Sequence, residues 1–218
     1  MRQYLKLSVI LSLVLIQLPL LAQVGFSDGF DDGNFRSSPI WVGEASKFIV
    51  NANNELQLNN DPPNSPAYLS TTSSIIDSTS WEFYIKLDFA PSASNYAEVY
   101  LSSDSSNLNS NLNGYFLRIG GISGSSDDIS LYRRDSSSGS VKILDGTDSI
   151  AGTATVELNI KVFRDIDGSW SLFIDRDLNG NYLLEGPIVI DTTYKTSSYF
   201  GIKCIHTSTR KDKFFFDD

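Results

Sequence analysis

From Glu55 onward, apolar side chains recur at every second position in short runs, and clusters of Gly, Asn, Asp and Ser separate the runs. In "SWEFYIKLDF", Trp81, Phe83, Ile85, Leu87 and Phe89 fall on one side, while Glu82, Lys86 and Asp88 fall on the other. In "TATVELNIKVF", Val156, Leu158, Ile160 and Val162 alternate with Thr155, Glu157, Asn159 and Lys161. Successive side chains of a strand point to opposite faces, so this period of two marks half-buried strands. The same pattern predicts strands at "ELQLN", "YAEVYLSS", "GYFLRIGG", "DISLYRRD", "VKILDG", "SWSLFIDRD", "GPIVID", "YFGIKCIHT" and "KFFFDD". No stretch combines helical periodicity with caps. Many short strands punctuated by turn residues predict an all-β fold, a sandwich or a barrel.

Alternation also sorts side chains that the core does not need. In "NYAEVYLSS", Ala97, Val99 and Leu101 suit the core, which turns Tyr96, Glu98 and Tyr100 outward. By the same count Phe116 and Arg118, and Tyr132 and Arg134, point away from Tyr115, Leu117, Ile129 and Leu131. If these strands are neighbours, Tyr96, Glu98, Tyr100, Arg118 and Tyr132 form one surface of rings and charged groups. Such a surface suits sugar or peptide recognition. The plainer alternative is a face covered by loops, or an ordinary half-exposed sheet. The Ser/Asn-rich piece Ser102–Asn113 reads as a long surface loop between two of these strands.

The stretch "DRDLNGNYLLEG", Asp175 to Gly186, has oxygen-bearing side chains at the places an EF-hand loop would use. Its twelfth place is Gly186, however, and Glu185 sits one short. Strand patterns flank it on both sides, and Asp-Leu-Asn-Gly is a favoured hairpin composition, so a turn without metal is the expectation.

The chain opens with Arg2 and Lys6 and an uncharged run from Leu7 to Ala22, ending in "LLAQ". This layout predicts a secretory signal peptide over residues 1–22 and a sandwich over 23–218. The expected localisation is secreted or cell surface, with no membrane insertion after cleavage. Losing two cations leaves a chain still more acidic than its net charge of −9. An acidic surface repels phosphate backbones, which argues against nucleic acid as partner. Cys204 is the sole cysteine, so no internal disulfide forms, and its place in an alternating strand predicts a small core residue. His206, the only histidine, shares its strand face but carries no sign of an activated pair.

The opening "FSDGFDDGNFRSSPIWVG", the strand "SWEFYIKLDF", the hairpin around "DLNGNY" and the close "YFGI" to "FFFDD" together resemble a known family. It is the concanavalin A-like (LamG-like, jelly-roll) domain found at the N-terminus of large secreted proteins of Bacteroidota. The resemblance spans Phe26 to Asp218. It implies one antiparallel β-sandwich of jelly-roll type with its N- and C-terminal segments side by side, acting as a monomeric domain within a longer chain, and a last strand running on past Asp218, so that the sequence is a fragment. It also implies either no cofactor or one structural Ca²⁺ where the terminal strands meet, with Asp28 and Asp217 the candidate ligands. His206 stands where look-alikes more often carry Tyr, so no role is assigned to it.

Laminarinase-like hydrolases of this fold use Glu-x-Asp-x-x-Glu on one strand, which puts carboxylates on one face across a sugar bond. Glu44, Glu55, Glu82, Glu98, Glu157 and Glu185 are the glutamates, and none begins that pattern. Neither a Gly-x-Ser-x-Gly elbow nor a His-rich metal motif occurs. The expected function is a non-catalytic extracellular interaction module that binds glycan or a protein surface. A ligand-free spacer is the alternative, and a divergent glycoside hydrolase or other enzyme is a third, weaker reading.

Overall fold

The structure, a computed structural model, describes residues 25–124 and 126–217. The expected signal peptide lies outside them. Fourteen strands follow one another: β1 Val42–Gly43, β2 Phe48–Val50, β3 Leu56–Leu58, β4 Ala67–Thr72, β5 Thr79–Leu87, β6 Tyr96–Ser103, β7 Gly114–Gly120, β8 Ile129–Asp135, β9 Gly139–Leu144, β10 Val156–Arg164, β11 Ser169–Asp175, β12 Leu183–Ile190, β13 Tyr199–Ile205 and β14 Phe214–Asp217. Among the described residues helix is confined to two 3₁₀ turns, Ala45–Lys47 and Ser208–Arg210.

The strands form two seven-stranded antiparallel sheets. The front sheet runs β1-β4-β13-β6-β7-β8-β9, and the back sheet runs β12-β11-β10-β5-β14-β3-β2. This is the antiparallel sandwich that the resemblance implies, and one of the two all-β forms that period-two patterning allows. Alternation explains the layering: Val99, Leu117, Leu131 and Ile202 from the front sheet meet Ile85, Leu87, Leu158 and Ile160 from the back sheet in one buried core. Trp81 and Trp170 stack at 5.7 Å between ring centroids within that core. Cys204 is fully buried there, and burial pushes its thiol well up, away from the reactive thiolate. The His206 ring is held by Asn60 Nδ2 at 3.0 Å and the Thr207 carbonyl at 3.2 Å. The terminal segments do meet: β14 inserts between β5 and β3, and Gly25–Asp28 and Asp217 line one end of the sandwich together.

A second, smaller apolar cluster lies on the outer side of the front sheet. It consists of Tyr100, Leu108, Leu112, Phe116 and Tyr132, with Tyr68 packed against it. This cluster positions the candidate site.

Candidate functional site on the outer face of the front sheet

Register brings the predicted residues together. Glu98 stands directly opposite Arg118, Tyr100 opposite Phe116, and Phe116 opposite Tyr132 on β6, β7 and β8. Tyr100 stacks on Phe116 at 5.0 Å, and Phe116 on Tyr132 at 5.3 Å, so three rings form a ladder across three strands. The Arg118 guanidinium lies 4.5 Å from the Tyr132 ring centre, 5.3 Å from that of Tyr96 and 5.7 Å from that of Phe116. Glu98 is buried, and its carboxylate accepts from Arg118 Nη2 at 3.3 Å and from the Tyr100 hydroxyl at 3.1 Å.

One half of this face is sealed. The loop after β6, residues 104–113, has only two apolar residues, Leu108 and Leu112, and both turn down onto Tyr100 and Phe116. Its polar residues bond among themselves: the Asp104 carboxylate accepts from the Asn113 amide N–H at 2.9 Å and from Asn113 Nδ2 at 2.8 Å. Ser70 Oγ donates to the Ser106 carbonyl at 2.8 Å, and Lys203 Nζ donates to the Leu108 carbonyl at 3.0 Å. Tyr100 therefore has no exposed surface, and burial with the Glu98 charge beside it pushes its phenol far up. Alternation put Tyr100 on the outer face, and it is there, but as the floor of a small core rather than as an open ring.

The other half is open. Tyr96, Arg118, Arg134, Lys142 and Lys203 are partly exposed, while Tyr132 keeps 8% of its surface. Gly121, at φ +89°, closes against this half with bare backbone: a Cβ there would stand 2.9 Å from Arg118 Cδ and 3.2 Å from Tyr96 Cγ. Lys142 anchors the far edge, donating to the buried Asp128 Oδ2 at 2.8 Å and bonding Asp145 as well. The sequence reading singled out neither Lys142 nor Lys203. Both sit at outward positions of alternating strands, and that was the available signal.

The carboxylates considered for calcium have other partners. Asp28 and Asp217 line one cavity of about 660 Å³ at the end of the sandwich, walled by Phe26, Trp41, Trp81 and Phe216. Each Asp28 oxygen already accepts an N–H, Oδ2 from Trp41 Nε1 at 2.8 Å and Oδ1 from the Phe30 amide at 3.2 Å. Among the described residues no group of three His, Cys, Asp or Glu side chains is placed to share a metal ion. These donors fit a calcium shell of six to eight oxygens poorly. In the hairpin, Asp175 accepts from the Gly180 amide at 2.7 Å and the Asp177 amide at 3.2 Å, as a turn requires. Glu185 accepts instead from the Thr147 amide at 2.5 Å, outside the loop.

No family profile matches the chain, and no characterised protein matches it in sequence. Solved structures do match in shape. The exoplasmic/lumenal domain of VIP36, in a Ca²⁺- and mannose-bound form, superposes with a TM-score of 0.58 at 10% identity, covering 88% of this chain and 86% of that one. A legume lectin-like domain from Entamoeba histolytica gives 0.55 at 16% identity, covering 91% and 95%. Carbohydrate-binding module CBM66 from Bacillus subtilis gives 0.53 at 11% identity, covering 81% and 90%. At such identities the likeness establishes the lectin-like, concanavalin A-like jelly-roll fold.

Proposed function

We propose that this chain is a non-catalytic glycan-binding module of a secreted or cell-surface protein, with residues 1–22 as its leader. The site is the open half of the front-sheet face, where the partly exposed Tyr96 offers ring surface, Tyr132 backs Arg118 from below, and Arg118 orients polar groups. The observation that carries this reading is the Arg118 guanidinium held among three rings beside the buried Glu98. A cation fixed that way is preorganised. The lectin-like and carbohydrate-binding neighbours support the ligand class, and the Bacteroidota-like multidomain context remains part of the proposal. Recognition here uses rings and charged groups without a metal, since Asp28 and Asp217 lie in a separate cavity at the sandwich end.

The sealed half favours a second reading, a spacer whose rings serve only as packing. A glycan array with the intact chain and its Tyr96→Ala variant separates the two. Binding that falls about tenfold in the variant, with the melting temperature kept, supports the site. No signal from the intact chain, or equal binding by the variant, supports the spacer.

A further inference from the structure

The open half of the front-sheet face carries an imbalance of charge that the fold does not use. The chain as a whole is acidic, with 26 Asp and Glu against 17 Lys and Arg. On this face the balance reverses. Lys203 on β13, Arg118 on β7, Arg134 on β8 and Lys142 on β9 supply one cation from each of four strands. The carboxylates there are already engaged: Glu98 pairs with Arg118, and Asp128 and Asp145 pair with Lys142. Arg134 donates to Ser140 Oγ at 3.2 Å and Lys203 to a backbone carbonyl, and neither enters an ion pair among the described residues.

These cations feel one another. Burial is the first cause that lowers the Lys203 ammonium, and the charges of Arg134 and Arg118 push it down further against the attraction of Glu98. Register sets Lys203, Glu98 and Arg118 in one row across β13, β6 and β7, and Arg134 follows Tyr132 on the same side of β8; the Arg134 and Arg118 charges act on the Tyr96 and Tyr100 phenols of this face as well. Crowded like charges cost stability, and Glu98, bonded to Arg118 and facing Lys203, is the carboxylate set against them. An anion among Arg118, Arg134 and Lys203 would relieve the crowding further, with the partly exposed Tyr96 as ring surface for the sugar that carries it.

We infer that the ligand is an acidic glycan, one whose sugar bears a carboxylate or a sulfate ester seated among Arg118, Arg134 and Lys203. This rests on the glycan reading above and sharpens it. Guanidinium forks match carboxylate and sulfate oxygens in pairs, so charge and geometry both select against a neutral sugar.

The test is calorimetric titration of the full chain with matched oligosaccharides: glucose against glucuronate, galactose against galacturonate, mannose against mannuronate, and a sulfated galactan. The expected result is at least about tenfold tighter binding of an acidic member than of its neutral match, weakening as salt rises. A response to the uronates alone identifies a carboxylate, and a response to the sulfated galactan alone identifies a sulfate ester. Arg134→Gln should reduce the acid-over-neutral preference, while Lys86→Gln, the same charge change on the back sheet, should not. Equal binding of acidic and neutral members overturns the inference and leaves the glycan site standing. Binding of no member overturns both.

Discussion

Glu98 and Lys203 face each other directly across β6 and β13, yet the lysine donates to the Leu108 carbonyl while the carboxylate serves Arg118 and Tyr100. An opposed carboxylate and ammonium on neighbouring strands would ordinarily pair. Here the lysine instead ties down the loop that roofs Tyr100, so one cross-strand position divides the face into a sealed half and an open half.

Two substitutions separate the roles of that division. Tyr100→Ala should lower unfolding stability by about 3 kcal/mol, because it removes a fully buried ring stacked on Phe116 and roofed by Leu108. Lys203→Met should cost much less globally but speed hydrogen exchange in the loop at 104–113, since it removes one tether of the roof. Urea titration and native-state exchange read the two effects. Equal global losses for both would show that the roof and the sandwich unfold as one unit.

How far these residues were legible depended on range. Parity along a single strand needs only the chain's own period, so Tyr96, Glu98, Arg118 and Tyr132 were placed on one face correctly from sequence. Lys203 has the same outward parity in "YFGIKCIHT", but β13 reaches β6 by long-range pairing that periodicity does not encode. The roof was obscured for another reason. Residues 104–113 are Ser, Asn and Asp apart from Leu108 and Leu112, and polar composition suggests a solvated loop rather than a lid on Tyr100. Strand β4, "AYLSTT", escaped notice because its inward Thr71 and outward Tyr68 weaken the alternation.

Arg164 binds the two sheets together, with 1% of its surface exposed. It pairs with Asp77 at 2.9 Å, donates to the Tyr194 carbonyl at 2.9 Å, and lies between Tyr115 of the front sheet and Trp170 of the back sheet. Arg164→Met should destabilise by about 3 kcal/mol, since it strands buried carbonyls and a carboxylate. Asp77→Asn should cost under about 1 kcal/mol, because Asp77 is partly solvated. Urea midpoints of the two variants check the ranking, and a reversed order would move the clasp to the carboxylate.

Alkaline pH should unfold the protein through its tyrosines. Burial first, then neighbouring carboxylates, pushes Tyr84, Tyr100, Tyr115 and Tyr182 well up, and Tyr194 up to about 12. Unfolded phenols ionise near pH 10, so above that pH the unfolded chain holds fewer protons than the folded one. The tyrosine contribution is then fully present below about pH 10 and falls as pH rises beyond it, and the buried Cys204 thiol acts in the same sense from its lower unfolded value. Lys203, lowered by burial, acts in the opposite sense on approach to its unfolded value of 10.5, one group against these tyrosines and the thiol. Phenolate absorbance should accordingly rise first for the partly exposed tyrosines and for the fully buried Tyr100 and Tyr115 only with loss of the fold. A smooth titration of all phenols in a folded chain would contradict this burial.

Calcium should leave the melting temperature unchanged between chelator and millimolar metal. A ligand that binds only the folded state raises stability in proportion to its occupancy, so a filled site would register. The carboxylates that resemble a calcium site are committed to N–H donors: Asp28 to the Trp41 indole and the Phe30 amide, Asp175 to the amides of Gly180 and Asp177. Burial pushes the Asp175 carboxyl up, and the turn amides outweigh it and hold it below its usual range. Asp175→Ala should therefore destabilise the hairpin with or without calcium. The contribution of its carboxylate should be lost as pH falls through that lowered value, because a depressed folded pKa stabilises only while the group is ionised. A calcium-dependent rise in melting temperature that Asp175→Ala abolishes would instead make the loop a metal site, with these amides displaced from the carboxylate.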